Sequence, residues 1–172
     1  MSRRLYIGVI GGSEPGEKHR KIAYDVGIKL AEKNAVVICG GLSGVMEEVS
    51  RGVRDNNGTV IGILPGETRN NENGYLTYSI TTGIGYARNF FVVRASEALI
   101  AIDGSNGTLS EGSFAISEGK DVIGIDSHVL KKTKTNEGNY YPVDSAEEAV
   151  SLAMECAEKF IRKRPHVSEY VS

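Results

Sequence analysis

The segment ALIAIDGSNGTLSE, residues 98–111, contains the pattern that decides the fold. Its first five residues, 98–102, are all apolar, which is typical of a parallel strand buried on both faces. A glycine-rich turn follows at once, and residues 108–118 then have the pattern of a helix. A strand that passes through such a turn into a helix is the repeating unit of a parallel α/β sheet.

The same alternation of strand-like apolar runs and helical segments extends along the chain on both sides of this segment. The predicted strands are 5–10, 35–39, 59–64, 78–81, 98–102, 122–125 and 140–143, and the predicted helices are 17–33, 44–55, 88–95, 108–118 and 146–162. This order predicts an α/β fold with a Rossmann-like, doubly wound, mostly parallel sheet and helices on both faces. Because 172 residues is the size of one domain, we predict a single nucleotide- or phosphate-binding domain over residues 1–172.

Composition and charge argue against several classes of function. The 20 lysines and arginines against 22 acidic residues give a net charge of −2, so no nucleic-acid partner is expected. The apolar runs are too short to cross a membrane and no signal sequence is recognisable, so a cytoplasmic protein is predicted. Two distant cysteines and three scattered histidines lack metal-ligand spacing, so no metal site is predicted; they are Cys39, Cys156, His19, His128 and His166.

Four of the predicted strands end in glycine-rich turns, at residues 11–16, 40–44, 81–85 and 103–108. The carboxyl ends of parallel strands share one edge of the sheet, where glycine lets the backbone approach a ligand and helix N-termini attract anions. We therefore predict a phosphate site at this edge, against the alternative that the glycines serve the turns alone. The predicted binding residues are Gly12, Ser13, Gly40, Gly41, Gly44, Gly83, Arg88, Asn89, Gly104, Ser105, Asn106, Gly107 and Thr108.

Two common phosphate-binding motifs do not fit these turns. Gly11 and Gly16 have the spacing of a P-loop, but Glu17 and Lys18 follow where that motif requires Lys and Ser or Thr. The first turn also lacks the GxGxxG pattern, and the second strand ends in Cys39 where a dinucleotide-binding fold has an acidic residue. An NAD-dependent dehydrogenase is therefore disfavoured.

Arg88 and Glu111 are the candidate catalytic side chains. Arg88 opens a predicted helix, where its charge opposes the helix dipole and indicates an anionic partner; an exposed surface arginine is the alternative. Glu111 follows Thr108 at capping-box spacing, which predicts Thr108 as the helix cap and gives Glu111 a purely structural role. Ser145 and Glu148 have this spacing without a glycine turn before them. Both roles for Glu111, cap and functional carboxylate, therefore stay open.

Three blocks, GGLSGVME at 40–47, ARN at 87–89 and GSNGTLSE at 104–111, occur in this order along the chain. Together they resemble the LOG (Lonely Guy) superfamily, once labelled lysine decarboxylase-like. That superfamily includes cytokinin-activating phosphoribohydrolases and molybdenum-cofactor carrier proteins. The ARN block is most similar to the molybdenum-cofactor-carrier-like branch.

The resemblance to the hydrolase pattern of this superfamily is incomplete. Arg88 and Glu111 match that pattern, but Asp103, Ser105 and Asn89 stand where it has proline, glycine and lysine. Our main prediction is therefore a binding or carrier protein for a phosphate-bearing ligand, a nucleotide or a molybdopterin-like cofactor. The alternative is a phosphoribohydrolase that cleaves nucleoside 5′-monophosphates to base and ribose 5-phosphate through its own carboxylate, without a cofactor.

Further expectations concern partners and the surroundings of the site. A nucleotide-responsive regulatory domain is a third functional hypothesis. The resemblance also implies a homo-oligomer, most often a dimer. The polar stretch 67–74 is predicted to be a loop, and whether it closes over the site stays open.

Overall fold

The computed structural model describes residues 3–163, which form seven strands and five helices that alternate except where β4 follows β3 and β7 follows β6. The strands are β1 (Tyr6–Gly11), β2 (Val36–Cys39), β3 (Thr59–Leu64), β4 (Tyr78–Thr81), β5 (Ala98–Ile102), β6 (Val122–Ile125) and β7 (Tyr140–Pro142). The helices are α1 (Glu17–Glu32), α2 (Val45–Asp55), α3 (Asn89–Ala95), α4 (Asn106–Ser117) and α5 (Ala146–Lys163). A short 3-10 turn, Gly85–Arg88, precedes α3. His166 lies outside the described residues.

The strands form one sheet in the order β4-β3-β2-β1-β5-β6-β7, and every neighbouring pair is parallel. From β1 the chain winds outward to β4 on one side, then returns to place β5 against the other side of β1. The winding direction therefore reverses between β1 and β5, which is where doubly wound folds bind ligands. The predicted Rossmann-like fold is confirmed, and the prediction of a single domain over residues 1–172 stays a prediction.

Helices cover both faces of the sheet. On one face α1, α2 and α5 pack through side chains such as Val26, Val49 and Ala153 against alternate strand residues that include Ile100. On the other face the shorter α3 and α4 pack against the strand residues in between, for example Leu99. All five residues of β5 are buried, because alternate side chains enter the two cores, as the apolar run predicts.

The start of α4 differs from the prediction. The helix begins at Asn106, with Ser105 as its extended N-cap residue at φ −104° and ψ −176°. Thr108 is the third helical residue, and its Oγ1 accepts a hydrogen bond from the Ser105 amide at 3.4 Å. The prediction that Thr108 caps the helix with Glu111 as its capping-box partner is therefore wrong. Asn and Gly have low helix propensity. The sequence pattern therefore did not reveal that Asn106 and Gly107 are the first two residues of the helix.

None of the helices between residues 3 and 163 has both the length and the apolar character that crossing a bilayer requires.

Candidate functional site

A pocket of about 200 Å³ lies at the carboxyl end of β1, where the turns after β1, β2 and β5 meet. The last residues of β1, the start of α4 and the 3-10 turn before α3 all line it. Eight of the predicted site residues line it, namely Ser13, Gly40, Arg88, Asn89, Ser105, Gly107, Thr108 and Glu111. The strand order brings these residues together from four separate segments of the chain.

Arg88 is the buried cation of this pocket, with only 5% of its surface exposed. Its Nη1 donates a hydrogen bond to Asn89 Oδ1 at 2.5 Å, and its buried Nε has no partner among the described residues. Gly40 makes room for the guanidinium, because a Cβ there would lie 2.6 Å from both Nη1 and Nη2. Burial lowers the pKa of Arg88, but a guanidinium stays protonated in proteins. The pocket therefore holds a positive charge whose hydrogen-bonding capacity is not used up.

Glu111 is the buried carboxyl group of the pocket, with 8% of its surface exposed. It projects from the second turn of α4, and the capping pair of Ser105 and Thr108 forms without it. Burial raises the pKa of Glu111 to about 7, and the nearby positive charge of Arg88 acts in the opposite direction. No direct ion pair joins the two side chains in residues 3–163. A carboxyl group that titrates near neutrality inside a pocket is characteristic of functional sites.

The other six predicted site residues do not line the pocket. Gly44 has φ +74°, and a Cβ there would lie 2.4 Å from Gly12 O, so this glycine permits contact between the turns after β1 and β2. Gly83 lies near the sheet edge, where its amide donates to Gly66 O at 3.0 Å. The six residues are Gly12, Gly41, Gly44, Gly83, Gly104 and Asn106.

Several pocket residues were missed by the sequence analysis, above all Leu42, Met46 and Tyr86. Leu42 and Tyr86 are large apolar or aromatic residues inside turns otherwise made of glycine and small polar residues. That contrast was the available signal, which charged and polar residue types alone do not contain.

No metal centre is indicated in the described part of the chain. Among residues 3–163 no group of three or more His, Cys, Asp or Glu side chains could hold an ion. Cys39 is fully buried at the end of β2, its Sγ lies 3.6 Å from Ser50 Oγ, and burial raises the pKa of its thiol. This thiol is therefore protonated at neutral pH and has the environment of a core residue.

Fold and pocket together define the class of protein, a Rossmann-like α/β protein whose switch-point turns enclose a buried arginine and a buried carboxyl group. More particularly, the chain belongs to the SLOG cluster4 family, whose family model matches residues 4–150. This match and the similarities described next confirm the predicted membership of the LOG superfamily, in the molybdenum-cofactor-carrier-like branch.

Three similar proteins illustrate the relationship. An uncharacterized protein from Archaeoglobus fulgidus is 42% identical over 126 residues, which make up 73% of this chain and 83% of that protein. The probable cytokinin riboside 5′-monophosphate phosphoribohydrolase LOGL9 of Oryza sativa subsp. japonica is 34% identical over 116 residues, 64% of this chain. The match covers 51% of LOGL9, so the chain spans about half of that relative's length. The solved molybdenum cofactor binding protein from Rippkaea orientalis superposes with a TM-score of 0.81 at 31% identity, covering 90% of this chain and 98% of that chain.

Proposed function

We propose that this protein binds a phosphate-bearing small molecule in the switch-point pocket and acts as a binding or carrier protein. The observation that carries the proposal is the buried guanidinium of Arg88, whose Nε has no partner among residues 3–163. A buried guanidinium with an unused donor is costly for folding, and an anionic ligand would accept a hydrogen bond from it. Arginine is well suited to this role because its planar donors match the oxygens of a phosphate.

The turns around Arg88 supply the remaining contacts of the proposed site. Backbone amides of Ser13 after β1 and of Gly107 in the first turn of α4 would hold the phosphate. Asn89 orients the guanidinium through its short hydrogen bond. The ligand is a nucleotide or a molybdopterin-like cofactor, and the similarity to the Rippkaea orientalis molybdenum cofactor binding protein supports a cofactor of the second kind.

A specific observation also favours a second candidate function, hydrolysis of nucleoside 5′-monophosphates. Glu111 takes no part in capping α4, and its buried carboxyl group shares the pocket with Arg88. In this reaction the water oxygen bonds to the anomeric carbon, the carbon–nitrogen bond breaks, and the base leaves with a proton. The carboxylate of Glu111 would stabilise the positive charge of the sugar or accept the proton of the water. The similarity to the rice phosphoribohydrolase supports this candidate.

One experiment tests both candidates. Binding of adenosine and guanosine 5′-monophosphate is measured by calorimetry, and released base by chromatography, for the wild type, Arg88→Ala and Glu111→Gln. We expect Arg88→Ala to weaken binding about 30- to 100-fold, because a charge-assisted contact is lost. A carrier binds without releasing base in any variant, whereas a hydrolase releases base and loses this activity in Glu111→Gln.

Arg54→Ala is the matched control for Arg88→Ala. Arg54 is exposed in the last turn of α2, outside the pocket. Its replacement is expected to leave binding unchanged. Equal binding by wild type and Arg88→Ala would contradict the proposed site.

We also infer that the protein forms a homodimer. An exposed surface beside the pocket, here called the aromatic surface, is lined by Ile84, Ala87, Phe90, Phe91 and Phe114, with Arg94 at its rim. Three of these apolar side chains are about half exposed, which is unusual for a surface that faces only water. Tyr86 lines the pocket, is 89% exposed, and directly precedes Ala87 of the aromatic surface. A partner on this surface would therefore also lie near the pocket.

A further inference from the structure

Among the described residues, the lining of the switch-point pocket contains two charged side chains, Arg88 and Glu111, and both are buried. Glu111 forms no ion pair or hydrogen bond with any residue between 3 and 163. Arg88 nevertheless acts on it electrostatically, because charges in a buried pocket are screened less than charges in water. The ionised carboxylate therefore depends on Arg88 for the compensation of its charge.

The other groups around Glu111 supply no second positive charge. Cys39, at the end of β2, interacts electrostatically with Glu111, but its thiol is protonated at neutral pH. Tyr86 is the remaining titratable residue in the lining, and its side chain is largely exposed. The other polar side chains of the lining are neutral hydroxyl and amide groups. Glu111 and an anion bound in this pocket would thus share the charge of Arg88.

A bound phosphate group changes the electrostatic balance of the pocket. A phosphate monoester carries a charge of about −1.5 to −2 near pH 7, so Arg88 would face two anionic groups at once. Like charges in a weakly screened site disfavour each other, and protonation of the carboxylate removes this repulsion. A protonated carboxyl group can also donate a hydrogen bond to a ligand oxygen, which a carboxylate cannot do.

From this arrangement we infer that binding of a phosphate-bearing ligand beside Arg88 is coupled to the uptake of one proton by Glu111. The inference rests on the proposed binding of such a ligand. The proton passes from solvent to a carboxylate oxygen of Glu111 when the ligand binds, and it returns to solvent when the ligand leaves.

The coupling acts near neutral pH, because burial already raises the pKa of Glu111 to about 7 in the chain alone. A ligand that raises this pKa further leaves the complex with a proton that the free protein has released. The affinity for the ligand therefore falls as the pH rises above about 7, by at most about tenfold per pH unit for one proton.

This coupling fits a binding or carrier protein. In hydrolysis of a glycosidic bond, the carboxylate must be ionised to offset the positive charge that develops on the sugar. A neutral Glu111 in the complex does not offset that charge. Its proton helps to retain the ligand, and a rise in pH favours release.

Calorimetric titrations of the wild type and Glu111→Gln at pH 6.0, 7.5 and 8.5 test the inference. The probes are adenosine and guanosine 5′-monophosphate, neopterin monophosphate, and ribose 5-phosphate, which has no base to release. The phosphate groups of the probes titrate near pH 6, but this contribution is common to both proteins. We expect the affinity of the wild type, relative to that of Glu111→Gln, to fall about 5- to 30-fold between pH 6.0 and 8.5.

Proton uptake is measured directly by repeating the titration at pH 7.5 in two phosphate-free buffers of different ionisation enthalpy. The wild type is expected to take up about half a proton or more in excess of Glu111→Gln. Glu32→Gln makes the same chemical change at an exposed position at the end of α1, outside the pocket. This control should keep the pH dependence of the wild type.

The outcomes separate this inference from the proposed function. Binding with the same pH dependence in the wild type and Glu111→Gln overturns the inference alone, as does the absence of excess proton uptake by the wild type. Absence of binding by all four probes at every pH overturns the proposed function, and the inference with it.

Discussion

At the scale of single residues, Glu111 makes the stability of the folded chain depend on pH. Its carboxyl group has a pKa of about 7 in the folded chain, because burial disfavours the charged form. The ordinary pKa of the group is 4.5. Each pH unit of such a difference corresponds to about 1.4 kcal/mol, so the ionised form destabilises the folded state by about 3 kcal/mol. Between these two values the folded chain holds a proton that the unfolded chain releases, and stability falls as the pH rises.

Glu111→Gln should therefore stabilise the protein in a pH-dependent way. At pH 8 the variant is expected to gain up to about 3 kcal/mol of unfolding free energy, and at pH 4.5 little, because the folded wild type is then protonated at this group and the unfolded chain is already about half protonated. Urea denaturation at the two pH values measures the difference. Glu14→Gln, at an exposed position in the turn after β1, is the control and should stay within about 0.5 kcal/mol. A variant less stable than the wild type at pH 8 would contradict this account.

Glu111 also shows why the spacing of residues along the chain can assign a wrong local role. Thr108 and Glu111 have the spacing of a capping box, but the box that forms joins Ser105 and Thr108. Spacing identifies pairs that can cap a helix and cannot decide which residue is the first helical one. In the structure the turn after β5 is short, with Asp103 at φ +56° and its amide donating to Ile125 O at 3.1 Å, and the helix begins directly after Ser105.

At the scale of elements, the short helix α3 depends on a lysine from a distant part of the chain. Lys120 follows α4, is 3% exposed, and its Nζ donates to the carbonyl oxygens of Val93, Arg94 and Ser96. These carbonyls lie at the C-terminal end of α3, where helix carbonyls lack partners within the helix. The position of Arg88 in the pocket is thus coupled to this contact, because Arg88 immediately precedes α3.

Lys120→Met tests this contact, because methionine keeps an unbranched chain but removes the three donors. We expect a loss of about 2 to 4 kcal/mol in unfolding free energy, since buried carbonyls lose charge-assisted hydrogen bonds. Chemical denaturation measures the loss. Lys21→Met, at an exposed position of α1, should change stability by less than about 0.5 kcal/mol. Equal stability of the two variants would show that Lys120 does not hold α3.

Strands were more predictable than helix ends. The predicted bounds of β3, β4, β5 and β6 agree with the structure, because each is a short, mainly apolar or β-branched run between polar or glycine-containing turns. Helix α4 was placed two residues late and α3 one residue early, because caps and 3-10 turns depend on hydrogen bonds that composition does not specify.

At the scale of the whole molecule, the aromatic surface leads to a prediction about association. Phe91 is 53% exposed on α3 and lines this surface. Phe91→Glu should convert a homodimer to a monomer, because a charge would be buried without a partner at the interface. Light scattering coupled to size-exclusion chromatography measures the mass of each form. Val129→Glu, at a 71% exposed apolar position outside that surface, is the control and should leave the mass unchanged. A monomeric wild type would contradict the inferred dimer.

The amino-acid sequence by itself determined the doubly wound class and the edge of the sheet that carries the pocket. Strands buried on both faces require continuous apolar runs, and tight turns into helices require glycine, so both features are local and visible in the chain. Only the tertiary structure decided which strand ends meet, that Glu111 is buried beside Arg88, and that Asn73 fastens a distant loop to the turn with Leu42. These features depend on contacts between residues far apart in the chain, where burial and strand order, rather than local spacing, set the chemistry of each group.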